Sequence, residues 1–268
     1  MIKQVLVPTN FSECAHNAAV FACHLVEPGG TVYLMHACDP AQCKSAADHD
    51  RREIVLNEKL GLQRDNLLRE VPNVHIETLV YDGTFITVPS AFITRLGIDM
   101  MVIGTDGVHT ENGHTEQSNT ERFMSKHALD MLIIPNGVTY HAFGRILFAS
   151  DYRPHLAGNK MEVLKEFMDT NKSDNYVLHV NRDPELQLGI SEIIARKELK
   201  NELAHEAPEF HEISSEKIEE GILKFVNSYQ IDLVGLIPRK NTLSERIFKR
   251  SITKKVAEKA KVPLLIMN

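Results

Sequence analysis

The sequence predicts an α/β fold: two doubly wound, parallel, five-stranded sheets in tandem, each with helices on both faces. Short apolar segments alternate with helical stretches of roughly ten or more residues, and such long connections are typical of crossovers between parallel strands. Residues 100–103 (MMVI) are apolar on both sides, as a strand covered on both faces requires. Segments of the first half also recur, in the same order, in the second half.

The first two strands have counterparts in both halves. Residues 3–12 (KQVLVPTNFS) and 145–153 (RILFASDYR) are each a β-branched and leucine-rich run that ends in a turn. Residues 31–37 (TVYLMHA) and 175–180 (NYVLHV) form a second pair of apolar strands, and each carries a histidine near its end. We interpret these two histidines as packed core residues.

The later elements match as well. Residues 98–104 (IDMMVIG) and 231–236 (IDLVGL) each follow a helical stretch. Residues 119–136 and 252–268 each consist of an amphipathic helix, a short break and a terminal apolar strand. Matched segments in one order predict a duplication, with its boundary near residues 139–144.

We therefore expect two modules, at residues 1–138 and 144–268. The apolar terminal strands at 131–134 and 263–267 are candidates for contact between modules, because an apolar strand at a sheet edge has to be covered. Such pairing would mimic a dimer of single modules, and we expect self-association by this route.

Composition limits the classes of protein and partner. The 268 residues are 43% hydrophobic and 25% charged, which is typical of a folded globular protein with room for two domains. A net charge of -6 and a pI near 6.1 leave no basic footprint, so nucleic acid is not an expected partner. The sequence has no apolar run of about 18 residues, so we expect no membrane partner either.

The N-terminus and the cysteines predict a cytoplasmic location. Residues 1–8 (MIKQVLVP) lack the long apolar stretch and the cleavage site of a signal peptide. The 4 cysteines all fall within the first 43 residues. Without a secretory signal, reduced thiols are the expectation rather than a disulfide framework.

Three segments are expected at one rim of the first sheet, because ligands of such sheets bind beyond the carboxyl ends of the strands, at the switch point of strand order. These segments are residues 8–11, Ala37 and residues 104–107. Residues 107–117 (GVHTENGHTEQ) are polar and rich in glycine, which predicts a loop above this rim.

The most informative motif begins where the fourth strand ends. Gly104 and Gly107 suit a tight turn with close approach of the backbone to a ligand, and Ser118 opens a helix whose first amides and dipole favour an anion. A phosphate chain between these features would be held by backbone amides and hydroxyls. Residues 118–121 (SNTE) fit a capping box equally well, and that box would satisfy the same amides internally.

This arrangement resembles the ATP-binding signature of universal stress proteins: glycine, two residues, glycine, nine residues, glycine, then serine or threonine. Gly104, Gly107 and Ser118 stand at the matching spacing, and Gln117 replaces the third glycine. Asn10 stands where the family usually has an aspartate. The resemblance covers essentially the whole chain, in the tandem form of the family. It implies an adenine-nucleotide alpha-hydrolase-like, Rossmann-like fold and ATP as cofactor, with magnesium as a candidate companion ion.

Carried over position by position, the resemblance assigns adenine to the loop at residues 8–10 and to Ala37. Ribose would contact Asn10 and Gly104, and the phosphates would be held by the residues that follow the fourth strand. The full set assigned to the nucleotide is Pro8, Thr9, Asn10, Ala37, Ile103, Gly104, Thr105, Gly107, Gln117, Ser118, Asn119 and Thr120.

The second half departs further from the motif. It keeps an acid in the first loop, Asp151, and a serine at a helix start, Ser251. Its fourth strand leads into Pro238, which has no amide hydrogen for a phosphate, and a second glycine is missing. We interpret this half as a degenerate site serving as a scaffold, a dimer partner or a regulatory surface. Its basic cluster is interpreted as a solvated helix face: Lys249, Arg250, Lys254 and Lys255.

Metal and catalytic sites find little support. The cluster of His36, Cys38, Cys43 and His49 lacks the second Cys pair of a structural zinc site, so no metal ligands are assigned. The other two cysteines, Cys14 and Cys23, are expected to fill the core.

No nucleophile elbow, Walker motif or zinc-protease motif is present, so no catalytic residue is assigned. Asp106 and His109 could orient water for slow ATP hydrolysis. The first hypothesis is thus a cytoplasmic stress-response protein that senses ATP through its first module and signals to protein partners. The alternatives are an interaction protein with a lapsed site and a weak ATPase.

Overall fold

The computed structural model describes residues 2–105, 123, 126–152, 161–183, 188–238, 255–256 and 259–268. The chain divides into two compact units, Met1–Tyr140 and His141–Asn268. Within the described residues, no helix is both long and apolar enough to span a bilayer.

The first unit is a parallel sheet with the strand order β3-β2-β1-β4-β5. Single 3-10 turns at Pro40–Gln42 and Phe85–Thr87 follow β2 and β3. The elements are β1 (Gln4–Pro8), α1 (Glu13–Leu25), β2 (Thr31–Cys38), α2 (Ala46–Glu70), β3 (His75–Asp82), α3 (Ser90–Leu96), β4 (Met100–Thr105) and β5 (Asp130–Pro135).

The second unit has the same strand order, β8-β7-β6-β9-β10, and its strands are also parallel. This confirms the predicted α/β fold class, with five parallel strands in each unit. The elements are β6 (Arg145–Ala149), α4 (Glu162–Asn171), β7 (Asp174–Asn181), α5 (Ile190–Glu202), β8 (Glu209–Ser214), α6 (Ile218–Tyr229), β9 (Leu233–Leu236) and β10 (Leu264–Ile266).

An aspartate before the fourth strand fixes the start of the first strand in each unit. Asp99 Oδ2 accepts hydrogen bonds from the backbone amides of Lys3, at 2.8 Å, and Gln4, at 2.9 Å. Asp232 Oδ2 accepts the amide of Arg145 at 2.8 Å. The repeated Ile-Asp pair therefore has the same structural role twice, in line with the sequence match of residues 98–104 to 231–236.

Helix α1 packs closely on its sheet because its inward side chains are small. Ala18, Ala19 and Ala22 are fully buried, and Ser12 caps the helix by accepting the amide of Ala15 at 3.2 Å. Short side chains let the helix backbone approach the strands, and this closeness shapes the candidate site.

The polar composition of residues 38–50 predicts a connection that leads into a helix near Asp50, but helix α2 begins earlier, at Ala46. Ser45 Oγ accepts the amide of Asp48 at 3.2 Å, and Asp48 Oδ2 accepts the amide of Lys44 at 2.9 Å. This reciprocal cap satisfies the first turn and extends the helix toward the end of β2.

Candidate functional site

The candidate site lies at the carboxyl ends of the first unit's central strands. Strand β1 pairs with β2 on one side, with Pro8 opposite Met35, and with β4 on the other, with Leu6 opposite Met101. The strand that follows β1 in the chain therefore lies on one side of it, and β4 lies on the other side. Such a switch point opens a crevice beyond the strand ends, and it is where ligands of doubly wound sheets bind.

The turn after β1 is built around Thr9. Its Oγ1 accepts the amide of Phe11 at 3.0 Å and donates to Gln63 Oε1 at 3.0 Å. Its own amide donates to the Met35 carbonyl at 2.9 Å. Phe11 takes the left-handed conformation, with φ 65°, which this turn stabilises. The side chain of Thr9 is therefore buried and engaged inside the protein.

Asn10 is the exposed residue of this turn. Its Oδ1 accepts the amide of Ser12 at 3.1 Å, which fixes the loop immediately before α1. An aspartate could make the same bond through either carboxylate oxygen, so the replacement at this position preserves the turn.

A histidine on β2 holds the turn from the side. His36 Nδ1 donates to the Thr9 carbonyl at 2.7 Å, because a carbonyl oxygen can only accept. The imidazole ring stacks on Phe11, with centroids 4.7 Å apart. Burial lowers the pKa of His36, the charge of Lys59 lowers it further, and the bond to Thr9 opposes both. We call this arrangement of histidine, turn carbonyl and aromatic ring the histidine clasp.

Gly104 lies against the first turn of α1. A Cβ at this position would lie 2.4 Å from the carbonyl oxygen and 2.7 Å from Sγ of Cys14, in the first turns of α1. The sequence-based interpretation assigned this glycine to close approach of a ligand. The structure adds a packing constraint, because the backbone of α1 occupies the space that a side chain would need.

The structure brings part of the predicted set together. Pro8 and Ala37 are half-buried at the ends of β1 and β2, and Ile103 is buried on β4, ahead of half-buried Gly104 and Thr105. The remaining predicted positions lie outside the described residues: Asp106, Gly107, His109, Gln117, Ser118, Asn119 and Thr120.

Comparison with models of protein families gives a match that covers the first unit. The model of the Universal stress protein family matches residues 1–135. This chain belongs to the universal stress protein family. A search of curated proteins finds no match.

Solved structures share the fold of this universal stress protein over almost its full length. A universal stress protein from Archaeoglobus fulgidus DSM 4304 is 15% identical, with a TM-score of 0.74 over 99% of this chain and 98% of that one. A structure described as a candidate universal stress protein from Pseudomonas aeruginosa UCBPP-PA14 is 12% identical, with a TM-score of 0.63 over 99% and 93%. At these identities the likeness concerns the fold.

The second unit of this universal stress protein repeats the histidine clasp. His179 Nδ1 donates to the Ser150 carbonyl at 3.0 Å, and its ring stacks on Tyr152, with centroids 4.7 Å apart. The amide of Tyr152 donates to Ser150 Oγ at 3.2 Å, and Tyr152 has φ 47°. Sequence reasoning matched the two histidines but missed the clasp. The matching triplets TNF and SDY, each a hydroxyl residue followed two positions later by an aromatic, could have indicated it.

The predicted basic cluster of the second unit is partly an ion pair. Lys255 Nζ lies 2.7 Å from Oε1 of Glu219, whose side chain is buried in α6. Burial alone would raise the pKa of Glu219, but the bond and charge of Lys255 outweigh it and lower the pKa. The side chain of Lys255 itself is 45% exposed, so this lysine is both paired with Glu219 and in contact with solvent. The other members, Lys249, Arg250 and Lys254, and also Ser251, lie outside the described residues.

Among the residues considered as zinc ligands, Cys38 and Cys43 lie close to each other. The thiol of Cys43 donates to the Asp39 carbonyl at 3.8 Å, and His49 Nε2 lies 3.2 Å from Oδ1 of Asp82. Among the described residues, no group of three or more His, Cys, Asp and Glu side chains is arranged to hold a metal ion.

Proposed function

We propose that this member of the universal stress protein family binds an adenine nucleotide, ATP, in its first unit. It would act as a cytoplasmic sensor or regulator in a stress response, without catalytic turnover of its own. The observation that carries this proposal is the switch point between β1 and β4, with the exposed Asn10 at one strand end and Gly104–Thr105 at the other.

The phosphates would bind beyond β4. Gly107 would offer its backbone amide without a side chain, and the sequence predicts that Ser118 opens a helix whose first amides would favour an anion. Magnesium would bind mainly through the phosphates, as is usual for this ion. Asn10 would contact the ribose hydroxyls with its side-chain amide.

We further propose that the second unit is a copy of the module without nucleotide. Pro238 follows β9, where a phosphate site would need an amide donor, and Lys255 is engaged by Glu219. Its role would be that of a partner module or a regulatory surface for other proteins, with self-association through module pairing.

Calorimetric titration of the full chain with ATP and magnesium tests the proposal. We expect saturable binding that is lost in Gly107→Val, because a branched side chain would fill the phosphate position. Gly61→Ala is the matched control, since a Cβ at Gly61 in α2 meets no atom within 4 Å. Its binding should equal that of the unmodified protein.

The two alternatives predict different results. A folded protein that binds no ATP would identify an interaction protein with a lapsed site. A weak ATPase would release phosphate from ATP, and both Gly107→Val and Ser118→Ala would abolish this release. Phosphate release that persists in both variants would come from a contaminant.

A further inference from the structure

A pair of thiols lies where β2 ends, outside the proposed nucleotide contacts. Cys38 is the last residue of β2, and Cys43 follows the 3-10 turn Pro40–Gln42. The turn is closed by the amide of Cys43, which donates to the Pro40 carbonyl at 3.0 Å. The chain doubles back at this turn, where the Cys43 thiol donates to the Asp39 carbonyl at 3.8 Å, and it thereby brings the two thiols close enough to influence each other.

The two thiols of this pair have different surroundings. Cys38 is buried at 4% exposure, whereas Cys43 is half-buried and open to solvent. Arg52 Nη1 lies 3.9 Å from the sulfur of Cys43. This arrangement places a hydrogen-bond donor beside the sulfur that an oxidant can reach from solvent. Burial raises the pKa of Cys38, and the neighbouring Cys43 thiol raises it further, so Cys38 keeps its proton to higher pH.

We propose that Cys38 and Cys43 form a reversible dithiol–disulfide site that is oxidised by hydroperoxides. The thiolate of Cys43 attacks the peroxide, the O–O bond breaks, and the products are a sulfenic acid on Cys43 and water or an alcohol. The sulfur of Cys38 then attacks Cys43, loses its proton and expels the sulfenic oxygen as water. Two electrons pass from the thiols to one peroxide, and a small thiol returns the pair to the reduced form.

The other two cysteines lack these features. Cys14 and Cys23 are both buried in α1, at 3% and 5% exposure. Burial, together with the charge of Glu70, raises the pKa of Cys23 to about 12, which suppresses its reactive thiolate. Oxidation should therefore be confined to the pair at the end of β2.

Thiol mapping after treatment of the full chain with hydrogen peroxide tests the site. Trypsin leaves all 4 cysteines in one peptide between Lys3 and Lys44, so the protein is alkylated, unfolded and cut with chymotrypsin after Tyr33. We expect 2 of the 4 thiols to escape alkylation, in a peptide that contains Cys38 and Cys43 and is about 2 Da lighter than its reduced form. Dithiothreitol should restore both thiols.

Variants separate this assignment from general oxidation. In Cys43→Ser, Cys38 should remain fully alkylated after peroxide. In Cys38→Ser, a sulfenic acid should accumulate on Cys43 and react with dimedone. The double variant Cys14→Ser/Cys23→Ser is the matched control and should form the disulfide as the unmodified protein does. Full alkylation of all cysteines after peroxide, or a disulfide that includes Cys14 or Cys23, would overturn the proposal.

Discussion

At the scale of single residues, two glycines of the first unit have opposite surroundings. A Cβ on Gly104 would lie 2.4 Å from the Cys14 carbonyl oxygen, whereas one on Gly61 would meet no atom within 4 Å. We expect Gly104→Ala to lower the free energy of unfolding by about 1–3 kcal/mol through overpacking. Gly61→Ala should raise it by roughly 0.5–1 kcal/mol, because alanine favours a helix interior. Urea denaturation of both variants measures the difference, and equal effects would refute the role of Cys14.

The lowered pKa of His36 predicts a pH dependence of stability. Above the ordinary histidine pKa of about 6.5, the folded and unfolded states both hold the neutral ring. As the pH falls below that value, the unfolded chain binds a proton first, so the free energy of unfolding decreases. His24 and His127 have pKa values lowered by burial and add in the same direction. We expect the protein to lose stability between about pH 7 and pH 5.

His36→Asn should make that loss less steep. The asparagine amide can still donate toward the Thr9 carbonyl but does not titrate. Urea midpoints at several pH values provide the measurement, and His75→Asn, on the exposed part of β3, is the control. A slope identical to that of the unmodified protein would show that the clasp histidine contributes nothing to the pH dependence.

At the scale of elements, helix α2 has one face in the core and one in solvent. Leu60 is 0% exposed, whereas Leu62, two positions further along, is 66% exposed. We expect Leu60→Ala to lower the free energy of unfolding by about 2–5 kcal/mol and Leu62→Ala to change it by less than about 0.5 kcal/mol. Thermal or urea unfolding measures both. Comparable losses would mean that the outer face of α2 is covered in solution.

The elements were predictable from the sequence where a local pattern dictates them. The apolar run at residues 100–103 predicted a buried strand, and β4 contains it. The start of α2 was missed because the cap formed by Ser45 and Asp48 lies ahead of the helix's apolar positions. No pattern within a single segment predicts the clasp, because it joins Thr9, after β1, to His36 on β2. The same holds for Gly104, whose constraint is Cys14 on another element.

At the scale of the whole molecule, the proposed function predicts a stoichiometry. The chain carries two units of the same strand order, but Gly104, Gly107 and Ser118 of the glycine and serine signature have matching spacing in the first unit alone. We expect about one ATP per chain in a calorimetric titration, at a site that Gly107→Val removes. Two equivalents per chain would show that the second unit also binds nucleotide.

Asn10 and Asp151 allow a matched exchange between the two units. Asn10→Asp keeps an acceptor for the amide of Ser12 and adds a charge-assisted bond to ribose, so we expect roughly tenfold tighter ATP binding. Asp151→Asn, at the corresponding place in the second unit, should leave the affinity unchanged. An affinity that responds to Asp151 but not to Asn10 would move the nucleotide to the other unit.

The histidine clasp is present in both units, whereas the spacing of Gly104, Gly107 and Ser118 is found in the first unit. The predicted duplication would give both units the same starting residues, and later substitutions would remove those that neither the fold nor a ligand requires. The clasp is present in both units with different partners: the first unit has threonine and phenylalanine where the second has serine and tyrosine. Because the clasp is present in both units, we attribute it to a structural requirement of the fold and not to ligand binding in one unit. A hydroxyl residue, an aromatic two positions later and a histidine one strand over could therefore reveal silent copies of this module in longer chains.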